Sequence, residues 1–418
     1  MKKTIFLIPL LLCVELNAQI LTLNDCINKA LTTHPDIKKS LLQIEHSKQG
    51  VEIAKADYRP QLSLSTEYNP KTTYVLPTNG AFNTIEGKGW QMGVTVQKRI
   101  WDFSKTSSNI EAQKLQEQIS NLSFHDVQAL LAYKVKLQYE LIWVQQEAIE
   151  VRKKDLESKE ELYKQAQALR KQGLKTKADE MRFLSSLYLT KDNLALSNAN
   201  FDKAQMLLSL YINEPIASDV QLEDSISQSS WQGKDIEHIL ANSPTLHALR
   251  TDIDKKEFNY KSAKASHYGS IDALASYSRQ DSLNEYDSTV VGITFNIPIY
   301  SGGKTTALEE QAYLNKQSAN LEYNSKVLAI KEEFQNLLID LRHYEVSIGS
   351  KTVQLQANEA TKEVVEARYK EGLSTYIELL DAIGMTQESE LGILETKYQK
   401  SSAIHRLEYL EGKTDENY

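Results

Sequence analysis

Apolar residues recur at steps of three and four along two long stretches of the chain. They are Leu130, Tyr133, Leu137, Leu141, Val144, Ala148 and Val151 in the first stretch and Ile330, Phe334, Leu337, Leu341, Tyr344 and Ile348 in the second. This spacing puts one narrow apolar stripe on an otherwise polar helix, a pattern typical of coiled coils. Because no glycine lies between Gly93 and Gly173, the first stretch predicts a helix from about 103 to 169. Shorter helices are predicted at about 24–57 and 176–213.

Four other segments alternate apolar and polar residues, which is typical of half-buried β-strands. We predict these strands at about 61–69, 90–100, 271–280 and 289–299. Each is about nine to eleven residues long, the length that a tilted strand needs to cross a bilayer. The polar segments at about 70–89 and 281–288 are predicted to be loops.

The strands and helices belong to two copies of one pattern. Gly93 corresponds to Gly292, and Gly173 to Gly372, at the same offset of about 199 residues. A further helix follows each of the later glycines, so each copy is predicted to contain a helical hairpin. The predicted organisation is a first repeat at 19–213, a connector at 214–234 and a second repeat at 235–418.

The predicted fold is mainly α with a small β part, a duplicated half-repeat of long coiled-coil-like hairpins with four strands per chain. Four strands cannot close a barrel, and open sheet edges are not tolerated in lipid. Three copies would pool twelve strands, an even number within the range of outer-membrane barrels. We therefore expect a homotrimer with one shared 12-stranded outer-membrane β-barrel.

Composition and the N-terminus narrow the class of protein. A charged start, the apolar run from Ile5 to Val14 and the small residue Ala18 predict a signal peptide at 1–18. The mature chain keeps one cysteine, Cys26, so no internal disulfide can form. A net charge of -8 gives no electrostatic basis for binding nucleic acid. The histidines form no pair at ligand spacing and no nucleophile motif follows a strand, so we expect no metal, no cofactor and no catalysis.

Two segments of the second repeat, together with the duplication and the signal peptide, resemble the TolC-like family of outer-membrane efflux proteins. They are Ile297-Pro298-Ile299-Tyr300-Ser301-Gly302-Gly303, after the last strand, and residues 368–382, which include Tyr369-Lys370-Glu371-Gly372-Leu373. The resemblance covers nearly the whole mature chain. The first repeat departs from it, since Lys98-Arg99-Ile100-Trp101-Asp102-Phe103 has neither the proline nor the paired glycines.

The resemblance implies a passive exit duct, set in outer-membrane lipid and extending into the periplasm. Its implied partners are two further copies, a periplasmic adaptor and an inner-membrane pump that supplies the energy. The adaptor-docking turns implied by the resemblance are Gly173, Leu174, Gly372 and Leu373. The implied gate comprises Tyr369, Ala178 and Asp179, with an acidic entrance ring at Glu378 and Asp381, and with Ser374 where better-studied members have a basic residue.

Simpler interpretations remain open for these residues. Glu378 and Asp381 share one helix face and could be a solvated acidic surface. Gly173 and Gly372 could be ordinary glycines at helix C-termini. Two other classes of protein are also possible, a soluble periplasmic coiled-coil adaptor or structural protein and an exported enzyme with a helical insertion. Retention in outer membranes after a carbonate wash would favour the duct over both.

Overall fold

The computed structural model describes residues 21–75, 80, 83–87, 89–217, 220, 222–224, 226, 231, 233–281 and 285–414. The predicted signal peptide at 1–18 lies outside these residues, as do parts of the predicted connector at 214–234 and of the two predicted loops. The bounds predicted for the two repeats, 19–213 and 235–418, stay predictions.

Eight helices and six strands occur in the described part of the chain. The helices are α1 (Leu23–Thr33), α2 (Pro35–Ala56), α3 (Lys105–Lys171), α4 (Lys177–Ile212), α5 (Ile236–Asn242), α6 (Pro244–Ala265), α7 (Lys304–Lys370) and α8 (Tyr376–Glu411). The strands are β1 (Gln61–Tyr68), β2 (Lys71–Val75), β3 (Asn83–Gly87), β4 (Trp90–Trp101), β5 (Ser270–Asp281) and β6 (Glu285–Asn296). Of these described helices, none is both long enough and apolar enough to cross a membrane.

The helices of the two hairpins match in length between the two halves of the chain. Both α3 and α7 contain 67 residues, roughly 100 Å of helix, and both α4 and α8 contain 36. The predicted mainly helical fold with a duplicated half-repeat is confirmed. The helix predicted at about 24–57 is instead two helices. A proline disfavours helical backbone in the residue before it, and His34, which precedes Pro35, has an extended backbone.

The chain divides into two compact units, and each contains segments of both repeats. We call one the hairpin unit; it comprises the described residues up to Pro35 and those of 128–235 and 333–418. We call the other the strand unit; it comprises the described residues of 36–127 and 236–332. The long helices α3 and α7 therefore each contribute to both units.

Four strands form one antiparallel sheet in the strand unit, in the order β1-β4-β5-β6. Its register places Leu64 beside Val94, Val94 beside Tyr277, and Tyr277 beside Thr289. The predicted alternation gathers the apolar side chains on one face, and that face is uncovered, with Val291 80% exposed. Strands β1 and β6 are the edges of this sheet, so among the described residues the sheet has an apolar face and two unpaired edges.

A second, two-stranded sheet corrects the predicted loop at about 70–89. Strands β2 and β3 pair antiparallel from Lys71 opposite Gly87 to Val75 opposite Asn83. The segment is rich in β-branched and aromatic residues, Thr72-Thr73-Tyr74-Val75 among them, which favour strands. Its prolines and glycines led to the loop prediction, which was wrong for these two strands. The last residues of the loop predicted at 281–288 likewise belong to β6, which begins at Glu285.

The turn from β4 into α3 has the same backbone in the first repeat as its counterpart has in the second. Gly302 and Gly303 have φ of 66° and 83°, and Phe103 and Ser104 adopt 56° and 71° without being glycine. The buried carboxylate of Asp102 supports this strained pair, accepting the backbone N–H of Thr106 at 2.9 Å. The first repeat therefore lacks the paired glycines but has the same positive φ values at this turn.

Replacing Ser104 with glycine is expected to stabilise the protein, because a left-handed backbone costs a non-glycine residue about 1–2 kcal/mol. Part of this gain is lost to the greater freedom of glycine in the unfolded chain. We expect the thermal midpoint, followed by circular dichroism in mild detergent, to rise by about 1–3 °C. The matched control is Gly303→Ser in the second repeat, where φ is 83° and a Cβ would meet open space. It should lower the midpoint, and a lower midpoint for Ser104→Gly would contradict the assignment of strain.

A buried cluster of charges joins α3 to α8 in the hairpin unit. His405 Nε2 lies 2.8 Å from Glu140 Oε1, and His405 Nδ1 lies 3.0 Å from Glu408 Oε2. Lys136 Nζ is 2.9 Å from the same oxygen of Glu408. Since both ring nitrogens face carboxylates, the imidazole carries both protons. Burial alone would lower the pKa of His405, but its hydrogen bonds to Glu140 and Glu408 raise that pKa to about 9.

The raised pKa predicts how stability changes with pH. A histidine with an ordinary pKa of 6.5 and a folded-state pKa of about 9 stabilises the fold fully below pH 6.5 and loses this effect as pH rises through 9. We expect His405→Gln to lower the thermal midpoint at pH 7, with a gap from wild type that narrows by pH 10. His343→Gln, at an exposed site on α7, is the control and should show a constant gap. A constant gap for His405→Gln would refute the charged imidazole.

Candidate functional site

The turn at the end of α3 is fixed by a glycine with left-handed backbone. Gly173 has φ of 73°, its N–H donates to the Arg170 carbonyl at 2.9 Å, and the N–H of Leu174 donates to the Leu169 carbonyl at 2.9 Å. These two bonds form a Schellman motif, which satisfies carbonyls that the helix end leaves free. The second hairpin repeats both bonds around Gly372, whose φ is 74°.

The returning helices begin with matching capping boxes. In the first, Thr176 N donates to Asp179 Oδ2 at 3.0 Å and Asp179 N donates to Thr176 Oγ1 at 3.2 Å. In the second, Thr375 N donates to Glu378 Oε2 at 3.1 Å. Two residues of the predicted gate and entrance, Asp179 and Glu378, are thus bound into helix starts, as the residue types at this spacing could have indicated.

The hydroxyl of Ser374 donates a hydrogen bond to Glu378 Oε2. This bond, followed by the one from the Thr375 N–H, lowers the pKa of the Glu378 carboxyl. Both bonds reach the same oxygen, Oε2. Ser374 is buried, whereas Asp381, one helical turn beyond Glu378, is exposed. Ser374, one of the gate residues implied by the resemblance, therefore bonds to the first turn of α8.

Both tips present an exposed leucine and open space around the glycine. Leu174 is 67% exposed and Leu373 is 69% exposed. A Cβ placed on Gly173 or Gly372 would meet nothing within 4 Å. Ala178, in the first turn of α4, is exposed as well. Of the predicted docking residues, all four thus lie at the surface of the single chain.

Just behind these turns, the two hairpins contact each other through an apolar cluster, which we call the tip cluster. It consists of Leu162, Ala166, Phe183, Tyr369, Leu379 and Ile383, with Tyr376 packed against it. The ring of Phe183, on α4, lies 6.1 Å from the ring of Tyr369 and 6.2 Å from that of Tyr376. Tyr369 is among the gate residues that the resemblance implies, whereas Phe183 was not predicted, because helical spacing alone does not show which side chains meet between hairpins.

Charged groups surround the tip cluster. Lys175 Nζ lies 5.1 Å from the centre of the Tyr369 ring, within the range of a cation–π contact. Arg170 pairs with the buried Glu180 at 2.7 Å across the first hairpin. Burial, and to a lesser extent the negative charge of Asp179, raises the pKa of the Tyr369 hydroxyl. The structure thus brings two predicted gate residues, Tyr369 and Asp179, into one electrostatic environment.

Nothing at the tips forms a metal centre in the part of the chain that the structure describes. No group of three or more His, Cys, Asp or Glu residues there is arranged to hold a metal ion. The chemistry of the tips is that of exposed apolar turns, capped helix starts and one apolar cluster.

A duplicated chain with a four-stranded antiparallel sheet, an uncovered apolar sheet face and two long helical hairpins belongs to the class of outer-membrane channels. The chain is a member of the outer membrane efflux protein family, whose sequence model matches residues 26–214 and 236–413. This membership confirms the predicted TolC-like family, the efflux function, the outer-membrane location and the expectation that the protein is not an enzyme. Channels of this family form trimers.

Two relatives and one solved structure that are distant in sequence match this chain along most of their length. The chain is 20% identical to the outer membrane efflux protein BepC of Brucella suis, over 92% of this chain and 84% of the relative. It is 21% identical to the outer membrane protein TolC of Escherichia coli, over 95% and 84%. The structure of the outer membrane protein VceC from Vibrio cholerae matches with a TM-score of 0.82 at 14% identity, over 94% of this chain and 97% of VceC. The last comparison establishes the fold.

Proposed function

We propose that three copies of this chain form one 12-stranded barrel and one tunnel, and that the hairpin tips dock on a periplasmic adaptor of an inner-membrane pump. The duct conducts substrates passively, and the pump supplies the energy. The observation that carries this proposal is the four-stranded sheet of the strand unit, with its uncovered apolar face and its two free edges.

The sheet topology supports closure by several copies. Because all neighbours in the order β1-β4-β5-β6 are antiparallel, β1 and β6 run in opposite directions. Strand β6 of one copy can therefore pair antiparallel with β1 of the next. Each backbone group left unpaired in lipid costs several kcal/mol, so a single chain with two open edges is strongly disfavoured in a membrane. Three copies give twelve strands and no edge.

The tips support a protein partner. The two turns have the same backbone bonds, and each exposes a leucine at the same place, Leu174 and Leu373. A trimer would present six such turns. Exposed apolar side chains on a rigid, well-capped turn are suited to a docking contact, since little conformational entropy is lost when a partner binds them.

Docking is tested by the paired substitutions Leu174→Asp and Leu373→Asp. A carboxylate placed in an apolar contact loses its hydration without a partner, so we expect adaptor recovery to fall at least about tenfold. The measurement is co-purification of cross-linked periplasmic proteins with the tagged channel, identified by mass spectrometry. The pair Leu174→Met and Leu373→Met is the conservative control. Undiminished adaptor recovery by the Asp pair, with the trimer mass in mild detergent unchanged, would rule out docking at the turns.

The entrance is proposed to select cations through Glu378 and Asp381. These side chains lie three apart on α8, so three copies would gather six carboxylates. At separations of a few ångströms each pair of charges interacts by roughly 1–4 kcal/mol, depending on screening, which attracts multivalent cations. Asp381 is the freer of the two, because Glu378 is bound to Ser374 and Thr375.

Single-channel conductance in a planar bilayer tests this entrance. Divalent cations added on the tunnel side should block the wild type, whereas Asp381→Asn should lose most of the block and of the cation preference. Asp381→Asn with Glu378→Gln should lose both. Glu371→Gln, which neutralises an exposed acid in the turn itself, is the control and should keep both. Unchanged block and selectivity in the double variant would show that the pair is a solvated acidic surface.

A further inference from the structure

The repeat symmetry of the chain is broken at the tip cluster. At the offset that relates the two halves, Phe183 corresponds to Ala382, Arg170 to Tyr369 and Glu180 to Leu379. The first hairpin therefore has an ion pair, Arg170 with Glu180, where the second has two apolar residues. Both of those apolar residues belong to the tip cluster. The second hairpin thus presents an apolar surface to the first one.

Phe183, on the first hairpin, packs against that apolar surface. Its side chain is 1% exposed, and its ring contacts Tyr369 at the end of α7 and Tyr376 at the start of α8. Both contacts are edge-on, with interplanar angles of 63° and 68°, the arrangement that aromatic pairs favour. One side chain of α4 therefore touches both helices of the other hairpin.

Two cations of the first hairpin lie against the same rings. Lys175 is 5.1 Å from the ring of Tyr369, and the guanidinium carbon of Arg182 is 5.0 Å from the ring of Tyr376. Tyr369 and Tyr376 are each in contact with Phe183 and with a cation, so both tyrosine rings are held from the first hairpin. Ser374, in contrast, bonds to Glu378 within the second hairpin.

We propose that Phe183 is the positioning residue that holds the two hairpin tips of each chain together and so keeps the resting duct closed. The part that concerns the closed duct rests on the duct proposed above and on the gate that the family resemblance implies at Tyr369, Ala178 and Asp179, whereas the part that concerns the tips stands on the contacts of Phe183. Without its ring, Tyr369 and Tyr376 lose their shared apolar contact but keep their contacts with Lys175 and Arg182, so the second hairpin is held to the first less tightly.

The position of the tips is measured by spin labels and does not require conduction. Gln172→Cys and Glu371→Cys place labels at equivalent exposed sites of the two turns, in a Cys26→Ala background and diluted with unlabelled chains to one labelled copy per trimer. Wild type should give one narrow distance distribution by pulsed electron paramagnetic resonance. Phe183→Ala should give a broader and longer one, with the separated population raised at least about tenfold, since deleting a buried phenyl ring shifts such equilibria by more than this.

Closure is measured separately, by single-channel conductance of the same trimers. We expect the single-channel conductance to rise several-fold for Phe183→Ala and less for Phe183→Leu, because leucine keeps apolar volume without the ring. Tyr188→Ala removes a 63% exposed ring from the same helix and should change neither readout. Because Phe183→Leu disturbs packing less, it also provides a test if Phe183→Ala yields no trimer.

The two readouts separate the two claims. An unchanged distance distribution in Phe183→Ala trimers, or in Phe183→Leu trimers if the alanine variant does not assemble, overturns the assignment of Phe183 whatever the conductance. A longer distance without a rise in conductance supports the assignment of Phe183 at the tips and contradicts a gate at this end of the duct. A rise in both supports the full proposal.

Discussion

The free backbone groups at the edges of the four-stranded sheet constrain everything else in this protein. A strand in water can leave its outer N–H and C=O groups to the solvent, but in lipid each such group costs several kcal/mol. The uncovered apolar face of the sheet is suited to contact with lipid. The outer edges of β1 and β6 are not, because their backbone groups are unpaired. For the barrel proposed here, assembly is therefore a condition for insertion, which is consistent with the trimers of this family.

Because the chain is duplicated, its two hairpins have helices of equal length and turns of the same kind. The hairpin helices of the two halves match in length, α3 with α7 and α4 with α8, and the tips share Schellman turns and capping boxes. At the turn into the long helix, where the two halves differ in sequence, the same positive φ values are kept by other contacts. At Phe103 and Ser104 the left-handed backbone occurs without glycine, and the buried Asp102 carboxylate stabilises it by accepting a hydrogen bond from the Thr106 N–H. A difference that changes the packing, Phe183 against Ala382, lies where the two hairpins meet.

The sequence predicted those features that depend on local periodicity. Alternation located the apolar face of the sheet, and the apolar stripes predicted the long helices, together with the absence of glycine in the first of them. Gly173 and Gly372 indicated the turns, because a left-handed helix end favours glycine. Strands β2 and β3 were missed, since the nearby prolines and glycines outweighed the β-branched residues in the prediction.

Contacts between distant segments could not be predicted in this way. His405 and Glu408 lie within one helical turn of each other. Glu140, which raises the pKa of His405 more than Glu408 does, is fully buried and lies 265 residues earlier in the chain. Phe183 is a similar case, because it is one apolar residue among many on α4 until the second hairpin is placed beside it. For the same reason the roles proposed for Glu378 and Asp381 depend on where neighbouring copies lie, which local spacing does not determine.

Helix α8 is held at its two ends by contacts of different kinds, and this difference bears on how it can move. Near its C-terminus, His405 and Glu408 are bound to Glu140 and Lys136 of α3. Separating such buried charges leaves them uncompensated, which costs about 3–5 kcal/mol. Near its N-terminus, Leu379 packs in the tip cluster, roughly 40 Å away along the helix. Apolar contacts are not directional, so they weaken gradually as groups slide. A helix anchored by charges at one end and by rings at the other is suited to swing at its N-terminal end, which is the end that carries Glu378 and Asp381.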